Sequence, residues 1–562
     1  MPTRPAKSAP AAAPASSADA AQAFGCAVGD IWRSFAGLNL PQQQLAKLQG
    51  EYLREATAVW NASLQRLQGS DTAPLPDRRF AADDWASNPL AAHLAQLYLL
   101  NARTLLQMAE SLEGDEKARQ RVRFAVQQWI DAASPSNFLA LNPEALRKAL
   151  DTQGRSIAQG MQMLLADLQR GQVSQTDTSV FEVGRNVATT EGAVVYENEL
   201  IQLIEYKPLT AQIHERPFLF VPPCINKYYI LDLQPSNSLV RYAVEQGMST
   251  FVLSWCNPDA ALAHKTWDDY IEDALIKAIA VVREITRAEQ INALGFCVGG
   301  TMLGTALAVL AARGEKPVAS ATFLTAFLDF TDTGVLDVFI DENFVCLREQ
   351  QFAQGGLLPG RDLATTFSFL RPTDLVWNYV VGNYLKGETP PPFDLLYWNS
   401  DSTRMPARMH SFYLRRMYQQ NDLVKPGAIE LAGVKLDLRK IKVPAYILST
   451  REDHIAPWTS TYRATQIYKG PVRFVLAASG HIAGVVNPPD AGKYSHWVNT
   501  ELPPDPDAWL VGGTELAGSW WPDWQRWVAS LSKAKVDARV PGDGKLAVIE
   551  PAPGSYVKVT AQ

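Results

Sequence analysis

The stretch INALGFCVGG, residues 291–300, decides the fold of this chain. It begins as a buried strand, places one nucleophilic side chain at the strand's end, and continues into small residues that open a helix. A turn this sharp forces its central residue into a strained conformation, and glycines stand two positions before and after because side chains there would collide. We therefore predict that Cys297 is raised above the sheet edge at a helix N-terminus, whose partial positive charge favours a thiolate.

Strands and helices alternate on both sides of this stretch. Residues 194–196 and 200–206 are typical of a hairpin, and further strands are predicted at 218–221, 250–254, 291–295, 318–327, 445–449 and 473–477. Helices are predicted at 239–246, from a cap at Thr266 to 285, and at 299–312. This alternation predicts a mostly parallel, doubly wound sheet, and the nucleophile turn makes it the α/β-hydrolase fold.

The remaining chain is predicted to form three further regions around a core at 179–330 and 441–562. Residues 1–22 are rich in Ala, Pro and Ser and lack the apolar centre of a signal peptide, which indicates a disordered leader. Residues 23–178 have helical spacing, including one helix that Asn142 caps and that runs to residue 165. Residues 331–440 are irregular and aromatic, and such an insertion between two strands predicts a cap or lid.

Composition excludes several classes of protein. The 562 residues are 47% hydrophobic and 20% charged with a net charge of -6, which indicates a globular protein of several domains without a basic surface for nucleic acid. The five cysteines have no CxxC spacing, which argues against disulfides and metal sites and favours a reducing cytosol. No apolar run reaches about 18 residues, so we expect no transmembrane segment.

A thiol nucleophile needs a base, and the chain has seven histidines. Ser479-Gly480-His481 follows the strand at 473–477, where this fold carries its catalytic histidine, so we predict His481 as the base. His454 is the other histidine near a strand end, and we place it in the substrate pocket. The remaining histidines have no supporting pattern: His93, His214, His264, His410 and His496.

The acid should end an earlier strand, because the chain order in this fold is nucleophile, acid, histidine. Asp453 follows the strand at 445–449, and it is our choice. Glu452 is a near rival, and since neighbouring residues point in opposite directions, only one of the two can readily reach His481. Asp329 is a weaker candidate. Spacing alone leaves this choice open.

An oxyanion hole is predicted from two backbone N–H groups. One belongs to Val298, the residue after the nucleophile, and the other to Ile225 in the loop after the first core strand. Cys224 and Asn226 flank Ile225, and we predict that both line the substrate pocket. Cys224 is a second thiol at this edge, but a role in the pocket lining is favoured over a second nucleophile.

A cysteine in place of the usual serine favours acyl transfer over hydrolysis. Transfer from a thioester to cysteine keeps the acyl group activated, so it can pass from coenzyme A to an alcohol. Water must be excluded meanwhile, and an aromatic cap suits that purpose. From these residues alone, the chain is an acyltransferase, or a thioesterase or other hydrolase.

Several motifs add a resemblance to a known family. Residues 221–229 (VPPCINKYY), 295–300 (GFCVGG), 367–372 (FSFLRP), 449–458 (STREDHIAPW), 479–484 (SGHIAG) and 520–524 (WWPDW) together resemble a class I polyhydroxyalkanoate synthase. The similarity runs from about residue 180 to residue 562. In this family the nucleophile matches Cys297, the histidine matches His481 and the acid matches Asp453, which raises Asp453 above Glu452.

The resemblance implies polymerisation of short 3-hydroxyacyl-CoA, typically 3-hydroxybutyryl-CoA, into polyester with release of CoA. It also implies a cytoplasmic homodimer on polyester granules, contacts with granule proteins called phasins, and no cofactor beyond the CoA of the substrate. A thioesterase or polyester depolymerase on the same fold remains the alternative. A granule-coating protein without activity is a further one, which an intact triad argues against.

Overall fold

The structure is a computed structural model that describes residues 37–68 and 74–561, so the predicted leader and Cys26 lie outside the described residues. The chain divides into two compact units, 1–151 and 152–562. This division lies before the boundary predicted at residue 178. The helix Arg155–Arg170 belongs to the second unit, where the backbone at Gly160 meets that of Tyr384 and the Tyr384 hydroxyl donates to Asp167 at 2.7 Å. Helical spacing alone does not reveal such a packing partner.

The first unit is helical. Its helices are α1 (Gln42–Leu67), α2 (Asp83–Ser87), α3 (Pro89–Glu110), α4 (Glu116–Ala132) and α5 (Pro143–Asp151). Asn88 caps α3 by accepting hydrogen bonds from the N–H groups of Leu90 and Ala91. The single helix predicted from Asn142 to residue 165 is wrong: α5 ends at Asp151, and Gln153 (φ 52°) and Gly154 (φ 80°) adopt left-handed conformations that no helix continues.

An eleven-stranded sheet forms the centre of the second unit. The strands are β1 (Gly192–Glu197), β2 (Ile201–Tyr206), β4 (Phe218–Val221), β5 (Thr250–Trp255), β6 (Ile291–Phe296), β7 (Val318–Leu324), β12 (Ala445–Thr450), β13 (Val472–Ala477), β14 (Ser495–Val498), β15 (Thr514–Ala517) and β17 (Glu550–Pro551). Their order in the sheet is β15-β14-β13-β12-β7-β6-β4-β5-β2-β1-β17. The six strands from β13 to β5 are parallel and the outer ones antiparallel, so the predicted mostly parallel sheet is confirmed.

The parallel strands carry apolar side chains on both faces, and helices bury these side chains by covering the sheet. The helices of the second unit are α6 (Arg155–Arg170), α7 (Leu239–Glu245), α8 (Trp267–Asp269, Tyr270–Ile276 and Lys277–Thr286, π-helical in its middle part), α9 (Val298–Arg313), α10 (Glu342–Gln351), α11 (Gly360–Phe369), α12 (Asp394–Ser400), α13 (Ala407–Phe412), α14 (Trp458–Tyr462), α15 (Ala464–Ile467), α16 (Pro506–Val511) and α17 (Trp521–Leu531). Thr266 begins α8 with a capping box, as its position predicted.

The insertion between β7 and β12 contributes no strand to the main sheet among its described residues. The irregular chain predicted for 331–440 is wrong, because α10 to α13 lie here with π-helical turns at Thr373–Trp377, Val380–Leu385 and Tyr413–Gln419. A π-helical turn has a different period from an α-helix, so the spacing of apolar residues in the sequence does not predict it. Short two-stranded sheets complete the unit: β8 (Leu357–Leu358) with β9 (Met405–Pro406), β10 (Glu430–Leu431) with β11 (Val434–Lys435), and β3 (Gln212–His214) with β16 (Lys535–Asp537).

The strand predicted at 318–327 is shorter in the structure. It ends at Leu324, because Thr325 has a φ of 43° and its N–H donates to the carbonyl of Leu448 on β12. The chain therefore leaves the sheet three residues earlier than its apolar run suggests. Within the described ranges, no helix is long and apolar enough to cross a membrane.

Candidate active site

The turn at Cys297 has the strained geometry that its glycines predict. Cys297 has φ 52° and ψ -127°, directly between β6 and α9, and it is half-buried. A Cβ at Gly295 would lie 2.5 Å from Cα of Gly300, and one at Gly299 would lie 2.3 Å from the carbonyl oxygen of Val221 on β4. Neither position has room for a side chain, so β6, α9 and the end of β4 can approach closely enough to raise the sulfur above the sheet.

A methyl group at this turn should therefore be costly. We expect Gly299→Ala to destabilise the protein by at least about 2 kcal/mol, because its Cβ would press on the backbone of Val221 and a backbone atom cannot turn aside. Thermal unfolding measures the effect. Gly382→Ala is the matched control, since nothing lies within 4 Å of a Cβ there. Equal melting temperatures for the two variants would contradict this account of the turn.

Asp453 and His481 form a buried pair at the ends of β12 and β13. The Nδ1 atom of His481 lies 2.7 Å from Oδ2 of Asp453, and their exposed fractions are 3% and 8%. The Oδ1 atom of Asp453 accepts the N–H groups of Ile455 and Ala456 at 2.9 and 2.8 Å. Because a carboxylate only accepts, it holds the histidine in the form that donates from Nδ1 and leaves Nε2 for the sulfur.

Burial and two neighbouring groups determine the pKa of His481. Burial lowers it, but the charge of Asp453, the charge of Cys297 and the hydrogen bonds with both together raise the pKa well above its ordinary value. The ring of Phe296, the residue before Cys297, stacks on His481 with ring centres 5.7 Å apart. The structure thus brings together the three residues that the sequence selected, Cys297, Asp453 and His481, and it favours an imidazolium beside the sulfur.

The rival carboxylates lie elsewhere. Glu452 is exposed, and its backbone N–H donates to the carbonyl of Ser479. Asp329 accepts hydrogen bonds from the N–H and hydroxyl of Thr331 and from Asn421 at 2.6–2.9 Å. Among these carboxylates, the structure therefore places Asp453 against His481.

The loop after His481 is anchored by the tryptophans of the WWPDW motif. Nε1 of Trp520 donates to the carbonyls of Gly484 and Val485 at 3.1 and 3.2 Å, and Nε1 of Trp521 donates to Val485 at 2.9 Å. Both indole rings are fully buried. The motif therefore supports the loop of His481 indirectly, because its hydrogen bonds hold the backbone three and four residues after the histidine.

The predicted oxyanion and pocket residues surround the turn. Val298 is the first residue of α9, so its N–H has no partner within the helix. Cys224 and Ile225 follow β4, whose last residue, Val221, contacts the turn at Gly299. Cys224 is buried, and burial, opposed by a backbone hydrogen bond and reinforced by the nearby sulfurs, raises the pKa of its thiol to about 12. A thiol that stays protonated lines a pocket more readily than it attacks.

Asn226 and His454 lie at the edges of this region. Asn226 forms an isolated bridge with Ser402 of the insertion. Burial lowers the pKa of His454 to about 4; the charge of Asp453 opposes this effect, and those of His481 and Arg371 add to it. Its Nδ1 atom has no hydrogen-bond partner among the described residues. His454 is therefore neutral at neutral pH.

Sequence reasoning did not single out two tyrosines of the insertion. Burial raises the pKa of both Tyr413 and Tyr418, and the charge of Cys297 adds to the rise. Their rings pack on each other at 5.1 Å and on Phe330 at 5.9 and 5.0 Å. The aromatic density of residues 331–440 was the available signal, and the pair lies in the π-helical turn Tyr413–Gln419, which that density does not predict.

Comparison with known proteins identifies the fold and the family of the chain. Residues 76–243 match the family model for the N-terminus of poly-beta-hydroxybutyrate polymerase (PhaC), and residues 217–488 match the alpha/beta hydrolase fold, which confirms the predicted fold class. The chain is 56% identical over 534 residues to the poly(3-hydroxyalkanoate) polymerase subunit PhaC of Cupriavidus necator, with 94% of this chain and 90% of that one covered.

Two further relatives are also poly(3-hydroxyalkanoate) polymerases. The chain is 45% identical to the poly(3-hydroxyalkanoate) polymerase of Methylorubrum extorquens, with 90% of this chain and 85% of that one covered. It is 44% identical to the poly(3-hydroxyalkanoate) polymerase subunit PhaC of Rhizobium meliloti, with 90% and 84% covered. The resemblance drawn from the motifs is thus confirmed, and this chain belongs to the poly(3-hydroxyalkanoate) polymerase family.

Proposed function

We propose that this protein polymerises short-chain (R)-3-hydroxyacyl groups, such as 3-hydroxybutyryl, from their CoA thioesters into polyester through a thioester on Cys297. The observation that carries the proposal is the 2.7 Å contact between Nδ1 of His481 and Oδ2 of Asp453, next to the strained turn that holds Cys297. Burial lowers the pKa of His481, but Asp453 and the Cys297 sulfur together raise it. This is the arrangement that an attacking thiolate needs. The names of the relatives supply the substrate class.

In the first half-reaction, Sγ of Cys297 attacks the carbonyl carbon of the substrate thioester. The bond from that carbon to the sulfur of CoA breaks, and the imidazolium of His481 gives its proton to the departing thiolate. The backbone N–H groups of Val298 and Ile225 stabilise the oxyanion that forms between these steps. The products are free CoA and an acyl-enzyme whose thioester keeps the energy of the original one.

In the second half-reaction, the 3-hydroxyl group of another acyl unit attacks the thioester on Cys297. His481, neutral after the first step, accepts the hydroxyl proton directly while Asp453 holds its ring and stabilises the positive charge. An ester bond forms and the Cys297 thiolate is released next to the imidazolium. The chain has then grown by one unit and the site has returned to its starting state.

The surroundings of the triad serve to hold the substrate and exclude water. We assign Cys224, Asn226 and His454 to the pocket wall, and we assign residues 331–440 to a cap over it. Tyr413 and Tyr418 supply the cap's apolar contact with the site. A dry site matters here because water competes with the hydroxyl group for the acyl-enzyme.

The wider setting of the reaction is also part of the proposal. We infer a cytoplasmic homodimer that works at the surface of its own polyester granules, where phasins are its neighbours. The reaction as written needs no cofactor or metal beyond the CoA of the substrate. Sedimentation of the purified protein with and without substrate tests the dimer, and fluorescence microscopy of a tagged chain in polyester-storing cells tests the location.

Purified protein with 3-hydroxybutyryl-CoA tests the reaction. We expect continuous release of CoA together with insoluble polymer, followed by thiol titration and by light scattering. Stoichiometric release of CoA without polymer would instead identify a thioesterase, and degradation of added polyester would identify a depolymerase. A panel of longer 3-hydroxyacyl-CoA substrates then measures the preference for short chains.

A further inference from the structure

The loop that carries Cys224 and Ile225 continues into a buried lysine. Lys227 is 2% exposed, and its Nζ atom donates to the backbone carbonyl of Val559 at 2.5 Å. Burial lowers the pKa of this ammonium, and the nearby carboxylate of Asp401 opposes that effect. A buried ammonium is retained only where its partners compensate for lost water, so this lysine is strongly held in place.

The partner of Lys227 lies in a segment that is itself firmly attached to the sheet. The backbone N–H groups of Ser555 and Tyr556 donate to Oε1 of Gln202 on β2, both at 3.1 Å, and the Tyr556 hydroxyl donates to the carbonyl of Asn198 at 2.8 Å. Val557, the residue after Tyr556, is buried. The Val559 carbonyl is therefore a fixed point on the scaffold.

The insertion also holds the same loop. Thr403 donates its hydroxyl to the carbonyl of Cys224 at 2.8 Å and its N–H to the carbonyl of Ile225 at 3.1 Å. Nε1 of Trp398 donates to the carbonyl of Lys227 at 2.7 Å. The three hydrogen bonds are accepted by the carbonyls of Cys224, Ile225 and Lys227. None of them involves the N–H of Ile225, which is the predicted oxyanion donor.

A single side chain joins the two supports. Asn257 donates from Nδ2 to the Val559 carbonyl at 3.3 Å and accepts at Oδ1 from the N–H of Arg404 at 3.0 Å. Asn257 thus links the insertion to the same Val559 carbonyl that Lys227 binds. If the Val559 carbonyl moved, Lys227 would move with it and displace the loop that carries Cys224 and Ile225.

We propose that Lys227 is a positioning residue for the oxyanion hole: its bond to the Val559 carbonyl holds the backbone of Ile225 in place beside Cys297. The inference rests on the proposed acyl transfer and adds to it a requirement for residues that never touch the substrate. Loss of this support leaves the thiol and His481 unchanged and displaces only one oxyanion donor.

Two reactions of Cys297 separate this role from general damage to the fold. Acyl transfer from 3-hydroxybutyryl-CoA needs the oxyanion hole, whereas alkylation by iodoacetamide is a direct displacement of iodide by sulfur and needs none. For Lys227→Met we expect kcat for CoA release to fall about 10- to 100-fold with little change in KM, since the loss of one oxyanion donor costs about 10² to 10³. The alkylation rate of Cys297 should equal that of the wild type.

Lys558→Met is the matched control, because Lys558 is exposed and adjacent to Val559, and it should behave as wild type in both reactions. A second variant that lacks residues 559–562 removes the acceptor while Lys227 stays intact, and it should lower kcat to a similar extent. Combined with Lys227→Met it should add little, because both changes break the same contact.

The outcomes are distinguishable. Full activity of Lys227→Met, or an equal fall of CoA release and alkylation, would overturn the positioning role, and additive losses in the double variant would do the same. If Lys227→Met does not fold, the variant lacking residues 559–562 decides by the same two rates. A wild-type protein that is alkylated but releases no CoA would instead refute the proposed function itself.

Discussion

Replacement of Cys297 by alanine is expected to abolish release of CoA from 3-hydroxybutyryl-CoA and to prevent all polymer formation. The fall should approach about 10⁶-fold, the scale seen when the nucleophile of a triad is removed, because no other group can form the acyl-enzyme. The measurements are thiol titration and intact-mass analysis. After a short incubation with substrate, the wild type should gain the mass of an acyl group and Cys297→Ala should not.

Cys224→Ser is the matched control, since it changes the second thiol near the same site. Burial raises the pKa of Cys224 to about 12, so this thiol is protonated at neutral pH and is a poor nucleophile. We therefore expect the serine variant to retain substantial activity and to gain the acyl mass. The reverse result, an inactive Cys224→Ser and an active Cys297→Ala, would show that the wrong thiol has been chosen.

The sequence predicted the parts of this protein that depend on local rules. The stretch at 291–300 contains strand, turn and helix within ten residues, and each glycine has a steric reason that a reader of the sequence can derive. The alternation of strands and helices could also be predicted, because the spacing of apolar residues is a local property of the sequence. His481 could be found because the end of β13 lies at a fixed place in a parallel sheet.

The remaining features depend on contacts between residues distant in the chain. Tyr418 packs on Phe330 from a π-helical turn, and Lys227 bonds to Val559 across 332 positions of sequence. The helix at 155–170 looks like its predecessors, yet it packs on Tyr384. The choice between Glu452 and Asp453 also needed coordinates or the family motif, because spacing determines that one of them faces the histidine and not which one.

That choice gives the second large effect. We expect Asp453→Asn to lower kcat by about 10³- to 10⁴-fold, because an amide at this position favours the wrong tautomer of His481 and removes the charge that stabilises its imidazolium. The amide oxygen can still accept the N–H groups of Ile455 and Ala456, so the loop should keep its shape. Unchanged thermal unfolding would verify this.

The pH dependence of Asp453→Asn gives an independent check on the mechanism. In the wild type, burial lowers the pKa of His481, and the charge of Asp453 is the largest of the effects that raise it. Without that carboxylate, burial meets less opposition, so the pKa of His481 falls and the limb of the pH–rate profile that reports its ionisation moves to lower pH. Glu452→Gln, in which an exposed carboxylate is neutralised one residue away, should leave both rate and profile unchanged. If Glu452→Gln gave the large loss and Asp453→Asn did not, the hydrogen bond between Asp453 and His481 would have no part in catalysis.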